Sequence, residues 1–234
     1  MKELSRYKIA PEFHRIPHFS KEISKSTHDD IVLDESIDFP IECYVQEKID
    51  GANMGVSFYN GPILRNREHI LNKGYTKIRT NAKKQFTSAW NWLHSHENDI
   101  KLIEEIWQSP ITVFGDWMFY SHSIFYDKLP DLFIAYDIWS VEDHKYIAPD
   151  VVESLLKQTS INYIKPNKIT FNSIQEIIDY SEKDSDFKNG IREGIVIKTS
   201  EGEFLKDTFK VVNKHFILRD DFNKVEAIKN IVIK

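Results

Sequence analysis

The chain has 234 residues, 41% of them apolar and 29% charged, with a formal net charge of −5. This is the composition of a water-soluble globular protein with enough apolar side chains for a core, and no apolar run approaches the ~20 residues of a membrane span. The single Cys43 excludes an internal disulfide and a multi-cysteine metal site. It is expected as a small buried apolar residue. The first six residues, Met1 to Arg6, lack the apolar stretch of a secretory signal, so a cytoplasmic location is expected. A negative net charge does not advertise a nucleic-acid binder, but the charge is uneven. Residues 188–234 carry ten Lys/Arg against seven Asp/Glu, while residues 1–187 carry 21 against 29. A cationic C-terminal region could therefore face phosphates.

In chain order, residues 41–47 read as a strand running into Lys48, and residues 55–58 continue as a second strand. Tyr59-Asn60-Gly61-Pro62 is a turn, and residues 63–67 return as a third strand. Ile78, Ala82, Phe86, Ala89, Trp90 and Leu93 recur at helical spacing, which predicts an amphipathic helix over 75–96. A shorter helix is expected over 101–107. Residues 111–119 and 132–139 are rich in aromatic and branched side chains and read as buried strands. A helix follows Pro149 over 150–159. Ser173 with Glu176 forms a capping-box pattern for a helix to about residue 182. Residues 194–199 and 203–212 are two strands joined at Ser200-Glu201-Gly202, and 222–232 is a last helix. Strands and helices mix without βαβ alternation, so the fold class is α+β with largely antiparallel sheets flanked by helices. No long linker or repeat is visible, and residues 1–234 read as one domain.

The chemistry is concentrated in Glu47-Lys48-Ile49-Asp50-Gly51-Ala52-Asn53. Lys48 is a candidate covalent nucleophile, Asp50 a fixed carboxylate beside it, and Gly51 a place where backbone can approach a phosphate. Alone, Lys-x-Asp-Gly also occurs in ordinary turns, where Asp-Gly supplies a positive φ. Four further stations follow it: Asn66-Arg67-Glu68-His69, Phe114-Gly115-Asp116-Trp117, Phe133 to Ile138, and Arg192-Glu193-Gly194 leading to Lys198, before Thr208-Phe209-Lys210.

This order and spacing resembles the covalent nucleotidyltransferases: ATP-dependent DNA ligases, RNA ligases and mRNA capping enzymes. Within them the chain looks most like the phage-type RNA ligase domain family, over about residues 15–219. Arg15-Ile16-Pro17-His18, Glu47 before the lysine, the Gln85-Phe86 to Ala89-Trp90 helix, and the run from Gly115 through His122, Tyr126 and Pro130 add to the likeness. The resemblance implies an adenylation domain of the nucleotidyltransferase, ATP-grasp-like ligase type, without a separate oligonucleotide-binding domain. It implies an ATP-dependent RNA ligase that joins 5′-phosphate and 3′-hydroxyl ends through a lysyl-AMP intermediate in RNA repair. Its cofactors are ATP and Mg²⁺ or Mn²⁺. Its partner is broken RNA, with a separate end-healing kinase or phosphatase compatible and no membrane involved. A DNA-nick ligase, a GTP-using capping enzyme and a noncatalytic end-binding domain are the alternatives.

The implied roles are Lys48, Asp50 and Glu193 in catalysis, with Glu193 also the metal-linked carboxylate. Nucleotide contacts fall to Glu47, Asn53, Arg67, Asp116, Phe133 (stacked on adenine), Lys198 and Lys210. Either Lys206 or Lys214 is the second lysine of the last station. Asp116 stands where the family usually has glutamate. A lysine amine has an ordinary pKa of about 10.4 and is inert while protonated. Arg67, Lys198, Lys210 and a bound metal are expected to lower it, so that the neutral amine attacks the α-phosphorus.

Overall fold

The computed structural model describes residues 11, 16–20, 38–59, 61–67, 69–71, 85–216 and 227–233. Ten strands form two sheets, and every paired neighbour is antiparallel. The first sheet orders β10 (Phe204–Val212), β9 (Gly194–Glu201), β1 (Ile41–Lys48) and β8 (Asn167–Phe171). The second orders β4 (Ile70–Leu71), β3 (Ile63–Arg65), β2 (Ala52–Ser57), β5 (Ile111–Trp117), β6 (Phe133–Ser140) and β7 (Lys145–Tyr146). Four α-helices accompany them among the described residues: α1 (Ala89–Ser95), α2 (Glu97–Trp107), α3 (Pro149–Leu156) and α4 (Ile174–Ser181). No described helix is long and apolar enough to cross a membrane.

Each sheet buries one face. Cys43 and Val45 of β1 join Ile195, Ile197, Val211 and Ile177 of α4 in one core. Burial raises the Cys43 thiol to about 11, as suits an inert packing residue. Met54, Val56, Val113, Trp117 and Phe133 pack with α1, α2 and α3 in a second, larger core. Fully burying a side chain such as Val45 contributes about 1.5–3 kcal/mol. Because side chains alternate along a strand, the opposite faces of both sheets are free to line a cleft.

The chain passes from the first sheet to the second at Ile49-Asp50-Gly51. Lys48 ends β1 and Ala52 begins β2. Ile49 anchors the crossing by packing with Met118, Tyr126, Ile134 and Phe187 in a third cluster. Gly51 does not have a positive φ, and no hairpin turns there. A Cβ on it would lie 2.4 Å from Met118 Sδ and 2.7 Å from Asp116 Cβ, so glycine is required by close packing.

Several elements differ from the expectations. α2 starts at Glu97 rather than 101, with Glu97 and Asp99 in its first turn and Ile100 and Ile103 buried. Within 75–96, Gln85–Thr87 is a 3₁₀ turn and α1 begins at Ala89; residues 75–84 lie outside the described residues. So do Arg15, Asn60, Glu68 and residues 222–226. Residues 227–233 are an extended strap rather than a helix, because their backbone groups bond to the 118–131 loop. β8 was not anticipated. At α4, Ser173 Oγ accepts from the Glu176 amide at 3.3 Å, but the Glu176 carboxylate accepts from Asn172 N at 2.8 Å, one residue before the reciprocal box position.

Candidate active site

The cleft between the sheets has a volume of about 590 Å³. Of the twelve residues singled out from the sequence, Glu47, Lys48, Asp50, Asn53, Arg67, Asp116, Lys198 and Lys210 line it. Glu193 joins them through its contact with Lys48. Phe133, Lys206 and Lys214 do not line it.

Lys48 Nζ donates to Glu193 Oε1 at 2.5 Å, and the side chains are 25% and 3% exposed. β1 and β9 bring them together by pairing Lys48 opposite Gly194. At Gly194, β9 and β10 approach closely: a Cβ there would lie 2.0 Å from Val211 O. Burial alone would lower the Lys48 pKa, but Glu193, Asp50 and Asp116 outweigh it and raise the pKa above the ordinary value. The expected neutral amine is thus corrected. Without ligands Lys48 sits among three carboxylates and is held protonated.

Burial raises the Glu193 pKa, against the lowering pull of Lys48. Burial likewise raises Asp116 to about 7, with Glu193 and Asp50 adding to it and Lys48 and Arg67 opposing it. Upward shifts at Lys48, Glu193 and Asp116 are the expected behaviour of buried groups in a net-negative cluster, which binds protons tightly. Asp50 is held in place by the loop after β5. Its Oδ2 accepts from the Ser123 and Ile124 amides at 2.6 and 3.2 Å, and its own amide donates to Tyr126 Oη at 2.8 Å.

Lys198 lies fully buried on the cleft floor. Its ammonium donates to Gln46 Oε1 at 2.5 Å, Asp137 Oδ1 at 2.6 Å and the Tyr136 carbonyl at 3.1 Å. A lysine has three donors, so all are taken by protein acceptors and none is left for a phosphate in this state. Glu47 is similarly engaged, accepting from Ser185 Oγ at 2.5 Å and the Asp186 amide at 2.8 Å. Burial nevertheless raises its pKa.

Phe133 requires a correction. It is fully buried in the larger core, with its ring 4.5 Å from that of Trp92 and lying over Gly115, where no Cβ obstructs it. On β6 the cleft-facing aromatic is Tyr136, whose hydroxyl accepts from Asn53 Nδ2 at 2.6 Å. The strand alternation could have indicated this, since Phe133 and Ala135 share the core face. Lys206 is the extra residue of a β-bulge between Leu205 and Asp207. Leu205, Thr208 and Lys210 face the cleft instead, leaving Lys206 exposed. Lys214 lies beyond β10 and is exposed. Neither is therefore the companion of Lys210; Thr208 holds that position.

Sequence reasoning missed Arg65. It lies two residues before Arg67 on the same side of the cleft, 5.8 Å from the Phe114 ring centre. Its signal was the i, i+2 spacing to Arg67.

Glu193 Oε2 is buried and has no hydrogen-bond partner. It is an orphaned acceptor suited to a hard divalent cation. Among the described residues, no three or more His, Cys, Asp or Glu side chains form a metal cage. One carboxylate, with substrate phosphates and waters supplying the rest, is the usual manner of holding Mg²⁺.

The sequence pattern describing RNA ligases matches residues 41–212, most of the chain. The chain belongs to the RNA ligase family. Among solved structures, this RNA ligase family member is similar in fold to Naegleria gruberi RNA ligase in several forms. A lysine-to-methionine mutant with AMP and Mn is 19% identical with a TM-score of 0.52; the matched region covers 74% of this chain and 49% of that one. The same ligase with PPi is 20% identical with a TM-score of 0.50, at the same coverage. A lysine-to-alanine mutant with ATP and Mn is 18% identical with a TM-score of 0.50, again covering 74% and 49%. The match thus spans about half the length of those chains. Among curated proteins, none matches significantly.

Proposed function

We propose that this protein is an ATP-dependent RNA ligase that seals 5′-phosphate to 3′-hydroxyl RNA ends through AMP carried on Lys48. The observation that carries the reading is the Lys48–Glu193 pair in the cleft, with Glu193 Oε2 open beside it. Family membership and the fold shared with a ligase studied with ATP, AMP and Mn support it.

In the first step Lys48 Nζ bonds to the α-phosphorus of ATP, and the bond to pyrophosphate breaks. The ammonium proton must leave beforehand, and the short hydrogen bond to Glu193 Oε1 is its path. Glu193 Oε2 would hold a divalent cation, which would supply positive charge to offset the phosphates and weaken the carboxylate's hold on the ammonium. Arg67 and Lys210 line the cleft where they can answer phosphate charge. Asn53 and Asp116, opposite each other on β2 and β5, would contact the ribose, and Tyr136, which lines the cleft, the base. The 5′-phosphate of RNA then takes AMP from Lys48. The 3′-hydroxyl finally attacks that phosphate, AMP leaves, and a phosphodiester bond is formed.

The test is sealing of matched nicked and single-stranded substrates built with RNA or DNA ends, with ATP or GTP as the nucleotide. RNA ends with ATP should be sealed. Sealing confined to DNA, or label from GTP only, contradicts the reading, because the 2′-hydroxyl and the base are what distinguish these substrates.

A further inference from the structure

We infer that Asn230, in the strap at residues 227–233, is a positioning residue that fixes the reactive geometry of Asp50 through the loop that clasps it. The inference rests on the reading of Asp50 as a working carboxylate of the proposed ligase.

Asp50 has no strand of its own; Ser123 N and Ile124 N donate to its carboxylate, and Tyr126 Oη holds its backbone by accepting from the Asp50 amide. These belong to the 118–131 segment, which has no helix or named strand, so its backbone groups must be satisfied from elsewhere. The strap satisfies them. Asn230 Oδ1 accepts from Tyr126 N at 2.9 Å, and Asn230 Nδ2 donates to the Met118 carbonyl at 2.8 Å. One buried amide thus spans the loop from its entry at Met118 to the residue whose hydroxyl meets Asp50. Five backbone bonds add to it: Ser121 N to Ile228 O, Asn230 N to Phe119 O, Ile231 N to Tyr126 O, Leu129 N to Ile231 O, and Ile233 N to Leu129 O. Ile228, Ile231 and Ile233 are about half exposed, so the strap gains little from apolar burial at these positions. Its contribution is polar and directional. Asn230 itself is only 8% exposed, and a buried amide that bridges two backbone groups is costly to remove.

The consequence is long-range. Asp50 and Asn230 are 180 residues apart in sequence, yet only Tyr126 stands between them in the hydrogen-bond chain. Losing the Asn230 amide frees Tyr126 N, lets Tyr126 Oη and the Ser123-Ile124 amides drift, and misaims the carboxylate without touching ATP.

The test is a double-mutant cycle of N230A with D50N. It measures single-turnover formation of lysyl-AMP and its discharge to 5′-phosphorylated RNA, alongside amide hydrogen exchange at Ser123 and Ile124. N230A should slow by about tenfold the step that D50N slows, while leaving ATP affinity within about twofold. In the D50N background the same change should cost less than about twofold, because the two residues act as one unit. Exchange at Ser123 and Ile124 should quicken. Rates equal to wild type, or a tenfold loss repeated in full on D50N, would overturn the inference; so would unchanged exchange. If N230A does not fold, N230D takes its place, since it keeps the acceptor for Tyr126 N and loses the donor to Met118. Should wild-type protein take no label from ATP, the ligase reading fails, and the exchange measurement alone decides whether Asn230 holds the loop.

Discussion

Lys48 ends a strand whose other face is packed in the core, so its amine has no choice but to enter the cleft. There it meets Glu193, Asp50 and Asp116, which raise its pKa. A protonated nucleophile makes adenylation faster as pH rises toward that raised value. Removing one of the carboxylates should lower it: E193Q should move the rising limb of the rate of lysyl-AMP formation toward lower pH, as well as slowing the reaction. An unmoved limb in single-turnover measurements would mean that Glu193 does not hold the ammonium. Asp116 gives a stability prediction. Its folded pKa is about 7, above the ordinary carboxylate value, so the native state binds this proton more tightly than the unfolded chain does. Stability therefore falls as pH rises from about 4 to about 7 and changes little from this group beyond that. D116N removes the penalty. Its stabilisation relative to wild type should grow between about pH 4 and pH 7 and then level off, measured by denaturant unfolding. A difference that does not vary with pH would refute the assignment.

At the scale of elements, β10 decides which basic side chains serve the cleft. The bulge puts Lys206 outside and restores Thr208 and Lys210 to the inner face. K206A should adenylate within about twofold of wild type, whereas K210A should lose about tenfold or more, roughly 1.4 kcal/mol of barrier. Equal losses would contradict the bulge register. The elements legible from sequence were those with their own periodicity: β1, β5, β6, β9 and β10, with their runs of branched and aromatic residues. What stayed hidden depends on distant partners. β8 is short and pairs only with β1, 126 residues before its first residue Asn167. The strap reads Ala-Ile-Lys-Asn-Ile-Val-Ile, with neither strand alternation nor a distinct helical period, and only the loop it bonds to makes it extended. The α4 cap was legible because its groups lie within three residues. S173A should cost about 1 kcal/mol in unfolding free energy.

Over the whole molecule, two sheets are joined by the segment that follows Lys48. The crossing at Ile49-Asp50-Gly51 places Lys48 and Asp50 at the junction, while the packing of Ile49 fixes how the sheets meet. The order of the stations along the chain was readable because each lies on a strand or beside its end: Lys48, Asp116 and Glu193 at or next to the ends of β1, β5 and β9, and Lys198 and Lys210 within β9 and β10. Charge state was not readable, since it depends on which acids the fold brings to Lys48. The exchange of Phe133 for Tyr136 was within reach of the strand alternation, since Phe133 and Ala135 share the core face, and the glycine on the neighbouring strand makes room for the Phe133 ring. The same geometry makes the central claim simple to test. Wild-type protein incubated with ATP labelled at the α-phosphate and with Mg²⁺ or Mn²⁺ should retain label on the denatured chain, on a peptide containing Lys48. K48A should retain none. Label absent from the wild type, or undiminished in K48A, would contradict the assignment of this lysine as the carrier of AMP.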